Sequence, residues 1–253
     1  MTNINIKTEA QRFGFFVLLS LLLFNCKQEE KLTSRQIVER SIEAHGGLKN
    51  WSSLKQLSFD KETTLFNADG SIEIKTEQFQ LFRMQPTLFG KIEWESNGDD
   101  ISIIYEDEKV SKIINDSIIT SVAELEKAKS RFFAAQYVVF QPFELLNEGA
   151  ELIYSNPIEL EGRKTYAITI KYANDTEDSN KWTYYIDANT FKVIANKVEL
   201  TDHTSWVENL TLDTATDFKF NAHRKSYRLN EAEEKTYLRA EYFYTNFSVQ
   251  YQE

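Results

Sequence analysis

The sequence predicts one mainly β (α+β) domain, built from antiparallel hairpins and two helices. Three observations support this fold class. Apolar residues recur at every second position over most of the chain, the turns between these segments are rich in Asn and Asp, and two stretches change to helical spacing. No linker rich in Gly, Pro or Ser divides the 253 residues, which suit a single large domain.

Residues 1–25 are typical of an export signal. Lys7 and Arg12 supply positive charge, and Phe13 to Phe24 is an uncharged stretch of twelve residues. A helix of that length reaches only ~18 Å, against ~30 Å for the hydrocarbon core of a membrane, so a stable transmembrane span is not predicted. We therefore predict a signal peptide at 1–25, a polar tether at 26–32 and a single domain at 33–253.

The segment Leu23-Phe24-Asn25-Cys26 resembles the lipobox of bacterial lipoproteins, in which the cysteine becomes the acylated first residue. Cys26 is the only cysteine of the chain and stands immediately behind the apolar stretch. The resemblance implies an exported lipoprotein that acylated Cys26 anchors to a membrane, which we expect to be the outer membrane. The alternative is a free cysteine near a signal-peptidase site.

The first helix is predicted from Thr33 onwards. Thr33 and Gln36 have the spacing of a capping box, in which each side chain binds the other's backbone N–H. An apolar stripe with helical spacing follows, formed by Ile37, Val38, Ser41, Ile42 and His45. Gly46 and Gly47 are expected to end the helix, and a short second turn is predicted around Trp51.

A meander of six strands is predicted next. In the first strand Leu57, Phe59, Lys61, Thr63 and Leu65 share one face, and the turn Asn67–Gly70 leads to the second strand. The predicted strands after the first are Ser71–Phe82, Lys91–Glu95, Ile101–Tyr105, Val110–Ile114 and Ser117–Thr120.

A second helix is predicted to interrupt the strands. Ser121 and Glu124 have the spacing of another capping box. The apolar residues Leu125, Ala128, Phe132, Ala135 and Val139 follow at spacings of 3 and 4, and Pro142 is expected to end the helix near Gln141.

Strands are predicted to continue to the C-terminus. Those with defined bounds are Glu151–Tyr154, Lys164–Tyr172, Lys181–Asp187 and Lys192–Thr201, and four more end in Leu238–Ser248. The chain has only 8 Gly and 3 Pro, so Asn and Asp are expected to form most of the turns.

The composition excludes several classes of function. The net charge of −10 and the absence of a run of five basic residues argue against a nucleic-acid partner. The sequence contains no Gly-x-Ser-x-Gly motif, phosphate loop, dinucleotide fingerprint or His-Glu-x-x-His motif. We therefore predict no catalytic residue, cofactor or metal. The alternative is a metal-dependent hydrolase in which Asp202, His203 and His223 converge on neighbouring strands.

A family resemblance rests on three segments. They are Ala44-His45-Gly46-Gly47-Leu48, then residues 160–168, and then Trp182–Val193 with its aromatic-Ile-Asp turn. Together with the order of the elements, they resemble the outer-membrane lipoprotein carrier and receptor (LolA/LolB-like) superfamily over residues 33–250, and within it an uncharacterised family of anchored lipoproteins. The resemblance implies a curved antiparallel half-barrel with both helices on its concave side.

The same resemblance implies a hollow that binds acyl chains. Candidate lining residues are Phe79, Trp94, Phe132, Trp182 and Phe243. Receptors of the superfamily also carry an apolar loop that enters the membrane, and Leu88 and Phe89 are the candidates for it. We expect a non-catalytic envelope lipoprotein that binds a lipid, a lipoprotein acyl chain or another apolar group. The alternatives are that the aromatic residues are plain core and that the chain is an interaction lipoprotein with a filled interior.

Overall fold

The computed structural model describes residues 31–154, 156–176 and 179–252. Residues 33–253 form one compact unit. The predicted signal peptide, the acylation site at Cys26 and most of the predicted tether lie outside the described residues, so those three assignments stay predictions.

The N-terminal half of the chain forms six consecutive strands, as predicted. Their bounds are Leu54–Phe66 (β1), Ile72–Arg83 (β2), Phe89–Ser96 (β3), Asp99–Glu106 (β4), Lys109–Ile114 (β5) and Ser117–Ile118 (β6). The C-terminal half supplies the rest, which are Ala150–Ile153 (β7), Ile158–Leu160 (β8), Arg163–Tyr172 (β9), Lys181–Asp187 (β10), Val193–Glu199 (β11), Thr204–Leu212 (β12), Asn221–Leu229 (β13) and Lys235–Tyr251 (β14).

All these strands belong to one curved, unclosed antiparallel sheet. The order across it is β6-β5-β4-β3-β2-β1-β14-β13-β12-β11-β10-β9-β7, and β8 pairs with the edge of β9 beside β7. The first and last strands of the domain, β1 and β14, therefore pair at the centre and join the two meanders. The predicted fold class is confirmed. The prediction of four strands after β11 is wrong, because three long strands, β12 to β14, occupy that part of the chain.

Within the residues that the structure describes, three helices accompany the sheet. They are Ser34–Ala44 (α1), Leu48–Ser53 (α2) and Val122–Phe140 (α3). The predicted capping box at the start of α1 is confirmed, since Gln36 N donates to Thr33 Oγ1 over 3.2 Å and Thr33 N donates to Gln36 Oε1 over 2.8 Å. The predicted apolar stripe of α1 is buried.

The capping box predicted for α3 is wrong. Ser121 occupies the N-cap position, but its side chain makes no capping hydrogen bond. The carboxylate of Glu124 instead accepts hydrogen bonds from Lys112 of β5 over 2.8 Å and from Lys127 over 2.9 Å. These two ammonium groups lower the pKa of Glu124 to about 2, and Lys112 has the larger effect. Glu124 therefore ties α3 to the sheet.

Aromatic packing holds α3 against the concave side of the sheet. The buried ring of Phe132 stacks on Tyr105 of β4 with centroids 4.9 Å apart, and it lies 5.6 Å from the ring of Phe82 of β2. Phe140 meets Phe82 edge to face at 5.5 Å. The predicted placement of this helix on the concave side is confirmed.

The described part of the chain contains no candidate for a membrane-spanning helix. None of the helices described there combines the length and the apolar character that a membrane-spanning helix requires.

Candidate ligand-binding hollow

A cavity of about 810 Å³ lies between α3 and the concave face of the sheet, and we call it the hollow. Side chains alternate along a strand, so each strand contributes every second residue to it. On β1 these residues are Lys61, Thr63 and Leu65. The hollow is open to solvent at the end where Leu65 pairs with Ile74 of β2, because the Ile74 side chain is 44% exposed.

Apolar side chains supply much of the wall. Two tryptophans, Trp94 of β3 and Trp182 of β10, lie on opposite halves of the sheet. The face of α3 that looks into the hollow carries small residues, which leave space that larger side chains would fill. The apolar lining residues are Leu65, Ile74, Ile92, Trp94, Ile101, Ala134, Ala135, Val138, Trp182, Val198, Leu200, Val207 and Ala240.

The lining contains basic side chains but no acidic ones among the described residues. Six of the basic residues are lysine or arginine and one is histidine. These basic residues are Lys61, Lys112, Arg131, His203, Arg224, Arg228 and Arg239. The chain as a whole has a net charge of −10, so the positive character of the hollow is local.

Two of these cations are neutralised by carboxylates outside the lining. Lys112 pairs with Glu124, and Arg239 pairs with Glu73. Arg131 of α3 instead lies 5.1 Å from the ring of Trp94, which is a cation–π contact.

Arg224 is the most buried of these cations, with 5% of its surface exposed. Its Nε donates to Asn209 Oδ1 over 2.8 Å and its Nη2 donates to Asn196 Oδ1 over 3.0 Å. Both partners are neutral amides, so they orient the guanidinium without cancelling its charge.

Two tyrosines of β14 lie between Arg224 and Lys61. Tyr242 pairs in register with Arg224, and Tyr244 pairs with Lys61. The Lys61 ammonium lies 5.2 Å from the ring of Tyr242 and 5.6 Å from that of Tyr244. Burial alone would raise the pKa of Tyr244, but the charges of Lys61 and Arg224 lower it below its ordinary value. This end of the hollow therefore has a positive potential.

A small polar cavity lies beside Arg224, in contact with His45 at the end of α1. Its volume of about 10 Å³ is about the minimum that one water molecule needs. His45 Nδ1 is 2.7 Å from the carbonyl oxygen of Ser41, which makes Nδ1 the donor, and burial lowers the pKa of His45 to about 4. The ring is therefore neutral at pH 7. Gln141, Tyr184 and Asn221 line the same small cavity as His45.

Several solved structures resemble this fold. A LolA superfamily protein from Nitrosomonas europaea matches with a TM-score of 0.58 and 6% identity, over 88% of this chain and 96% of that one. A DUF1329 family protein from Desulfovibrio piger matches with a TM-score of 0.52 and 8% identity, over 85% and 92%. A domain described as an outer-membrane lipoprotein-sorting protein, from Vibrio parahaemolyticus, matches with a TM-score of 0.50 and 10% identity, over 86% and 94%.

The chain has a LolA-like fold. No protein-family model and no curated protein sequence matches it. At identities of 6 to 10% the likeness shows the fold alone.

The LolA-like sheet sorts the five predicted lining residues into three places. Trp94 and Trp182 line the hollow. Phe132, a residue of α3, is fully buried and belongs to the aromatic core between the helix and the sheet. Phe79 and Phe243 lie on the outer face of the sheet, each 38% exposed, because their neighbours on both sides along β2 and β14 point inwards. Their prediction as lining residues is corrected accordingly.

The sequence analysis predicts none of the basic residues of the hollow as lining residues. A signal for them exists, since Arg224, Ser226 and Arg228 alternate along β13 and share one face. Which side chains of β13 lie on the concave side of the sheet depends on the pairing of β13 with β12 and β14, and a single sequence does not reveal this pairing.

The predicted apolar loop lies between β2 and β3. Phe89 is the first residue of β3 and pairs with Arg83, whose guanidinium lies 4.8 Å from the Phe89 ring. Leu88 precedes the strand, and both side chains are half-buried. Membrane insertion of Leu88 and Phe89 stays a prediction.

The alternative metal site is not assembled in the LolA-like sheet. His203, the residue before β12, contacts Asp202 over 2.7 Å, whereas His223 of β13 contacts Glu241 over 2.7 Å. The residue opposite His223 on β12 is Thr211, so the two histidines do not converge. Within the described ranges, no group of three or more His, Cys, Asp or Glu side chains is placed to hold a metal ion. The hypothesis of a hydrolase built on these residues is therefore wrong.

Proposed function

We propose that this chain is a non-catalytic lipoprotein of the cell envelope that binds a lipid or another apolar group in the hollow. The observation that carries the proposal is the open volume of about 810 Å³ between α3 and the sheet. Ligand-binding cavities typically enclose about 300–1,000 Å³. An interaction module with a filled interior, the alternative, would instead pack side chains into this space.

The lining supports an elongated apolar ligand. Trp94 and Trp182 offer broad apolar surfaces on opposite halves of the sheet, and Ala134, Ala135 and Val138 form the small-residue side along α3. Burial of apolar ligand surface stabilises the complex by about 25 cal/mol per Å². One of the solved neighbours, from Vibrio parahaemolyticus, is described as a lipoprotein-sorting protein, which agrees with this ligand class.

We place the protein at the outer membrane, anchored through acylated Cys26. The short apolar stretch before Cys26 and the resemblance of residues 23–26 to a lipobox support export and acylation. Several acyl chains on one residue anchor a protein firmly, at about 0.8 kcal/mol for each buried CH₂ group. Leu88 and Phe89 are proposed as a second, weaker contact with the membrane.

Native mass spectrometry of the protein, purified gently from its own membrane, tests the binding function. We expect a population whose mass exceeds that of the acylated chain by one non-covalently bound lipid. A matched pair of variants locates the ligand: Ala134→Trp fills the hollow, whereas Ala123→Trp adds the same side chain to an exposed position of α3 outside it. Ala134→Trp should lose the bound lipid and Ala123→Trp should retain it. A lipid-free wild type would overturn the proposal.

A further inference from the structure

The inner part of the hollow contains a buried cation without a counter-charge. Arg224 donates to two neutral amides, and within the described chain no carboxylate pairs with it. Isolation of a charge from water is unfavourable unless an opposite charge compensates it. An anion that enters the hollow beside Arg224 would therefore gain a strong, charge-assisted contact.

Lys61 supplies a second cation at the same place. Its ammonium lies over the rings of Tyr242 and Tyr244, and Tyr242 pairs with Arg224 on the next strand. The two cations therefore lie on β1 and β13, on either side of the two tyrosines of β14. Lys61 shares a hydrogen bond with Tyr244 and has no carboxylate partner among the described residues, so its positive charge is not cancelled.

These cations lie towards the closed end of the hollow. Along the paired strands β1 and β2, Leu65 and Ile74 mark the open end, and the fully buried Phe59 and Gln80 mark the inner end. Arg224 is also buried, like the two inner-end residues. The hollow is thus apolar at its open end and positively charged towards its inner end. A ligand that fits both ends combines an apolar body with one negatively charged group.

We propose that the hollow binds an amphiphile that has an acyl chain and an anionic headgroup, with the headgroup oxygens held by Lys61 and Arg224. Charge complementarity is the argument, since four of the six lysine or arginine residues in the lining have no carboxylate partner among the described residues, and no described acidic residue lines the hollow, in a chain of net charge −10. The inference rests on the proposed function, because it names the ligand class of the same hollow. Carboxylate and phosphate headgroups share the required chemistry.

A fluorescence titration separates the charge of the headgroup from the apolar chain. Trp94 and Trp182 line the hollow, and a doxyl nitroxide quenches tryptophan emission at contact distance. The full chain carrying Cys26→Ala is titrated with doxyl-labelled stearic acid, in its ionised form, and with the methyl ester of the same acid. We expect the acid to bind at least tenfold more tightly than the ester. Displacement by oleate or by lysophosphatidate then shows which anion is preferred.

Two lysine variants locate the headgroup. Lys61→Gln should weaken binding of the acid about tenfold and leave the ester unaffected. Lys55→Gln is the matched control, because it removes the same charge from an exposed position of β1 outside the hollow, and it should change neither affinity. The comparison of acid and ester on the chain with native Lys61 needs no lysine variant, so it remains decisive if Lys61→Gln does not fold.

The possible results separate the two proposals. Equal affinity for acid and ester would overturn the anionic headgroup and leave lipid binding intact. Equal losses in Lys61→Gln and Lys55→Gln would overturn the assignment of the headgroup to Lys61. No quenching by either compound would overturn both proposals.

Discussion

The ring of Phe132 rests directly on the backbone of Gly90. A Cβ atom added to Gly90 would lie 2.2 Å from Cε2 and 2.5 Å from Cζ of Phe132, far inside van der Waals contact. The absence of a side chain at this point of β3 allows α3 to lie close to the sheet. This contact therefore sets the position of the helix that forms one wall of the hollow.

Gly90→Ala should displace Phe132 and destabilise the protein by about 1–3 kcal/mol through overpacking. Urea unfolding of a double-mutant cycle with Phe132→Ala measures the coupling. In the Phe132→Ala background, where the clashing ring is gone, Gly90→Ala should cost much less. Additive effects of the two substitutions would contradict this account of the contact.

His45 should make the stability depend on pH in the acidic range. Burial lowers the pKa of His45 in the folded state from its ordinary value of 6.5 to about 4. The unfolded chain therefore binds the extra proton, and stability is fully present above pH 6.5 and decreases as the pH falls towards 4. The expected loss is about 3 kcal/mol, since each pKa unit corresponds to 1.36 kcal/mol.

The variant His45→Gln isolates this contribution, because its amide can still donate to the Ser41 carbonyl oxygen but does not titrate. Chemical unfolding at a series of pH values should give a shallower acidic slope for His45→Gln than for the wild type. Parallel curves for the two proteins would contradict the burial of a neutral His45.

Asp187 should stabilise the hairpin between β10 and β11. Its Oδ1 accepts hydrogen bonds from Thr190 N over 2.7 Å, Thr190 Oγ1 over 2.9 Å and Asn189 N over 3.0 Å. Asp187→Ala should cost about 1–3 kcal/mol, because it leaves these donors without their acceptor. Asp187→Asn retains an acceptor oxygen and should restore part of the loss. Thermal unfolding of the two variants measures the difference, and equal midpoints for Ala and Asn would argue against this role.

Acylation of Cys26 is tested by metabolic labelling with a radioactive fatty acid. The wild-type chain should incorporate label and fractionate with membranes, whereas Cys26→Ala should do neither. A Ser20→Ala variant, which changes the apolar stretch and leaves the cysteine in place, should label as the wild type does. Equal incorporation in wild type and Cys26→Ala would end the lipoprotein assignment.

Local features of the fold were predictable from the sequence, and features that depend on strand pairing were not. The box of Thr33 and Gln36 forms as predicted because both partners lie within one turn of helix. The same pattern at Ser121 fails because Lys112, from a different strand, binds Glu124. The outcome at Ser121 therefore depends on a tertiary contact.

The lining of the hollow was equally hard to predict from the sequence alone. Tyr242, Phe243 and Tyr244 are consecutive aromatic residues, so the pattern does not reveal which of them face inwards. The pairing of β14 with β1 and β13 directs the tyrosines into the hollow and Phe243 to the outer face. One residue of register separates a lining residue from an exposed one.

Photo-crosslinking tests the central claim, that an acyl chain lies between α3 and the sheet. The full chain carrying Cys26→Ala is incubated with a fatty acid that bears a diazirine in its chain, irradiated, and digested for peptide mass spectrometry. We predict adducts on the inward face of α3, at Ala134 to Val138, and near Trp94 or Trp182. Adducts confined to the outer face around Phe79 and Phe243, or no adducts, would contradict the account.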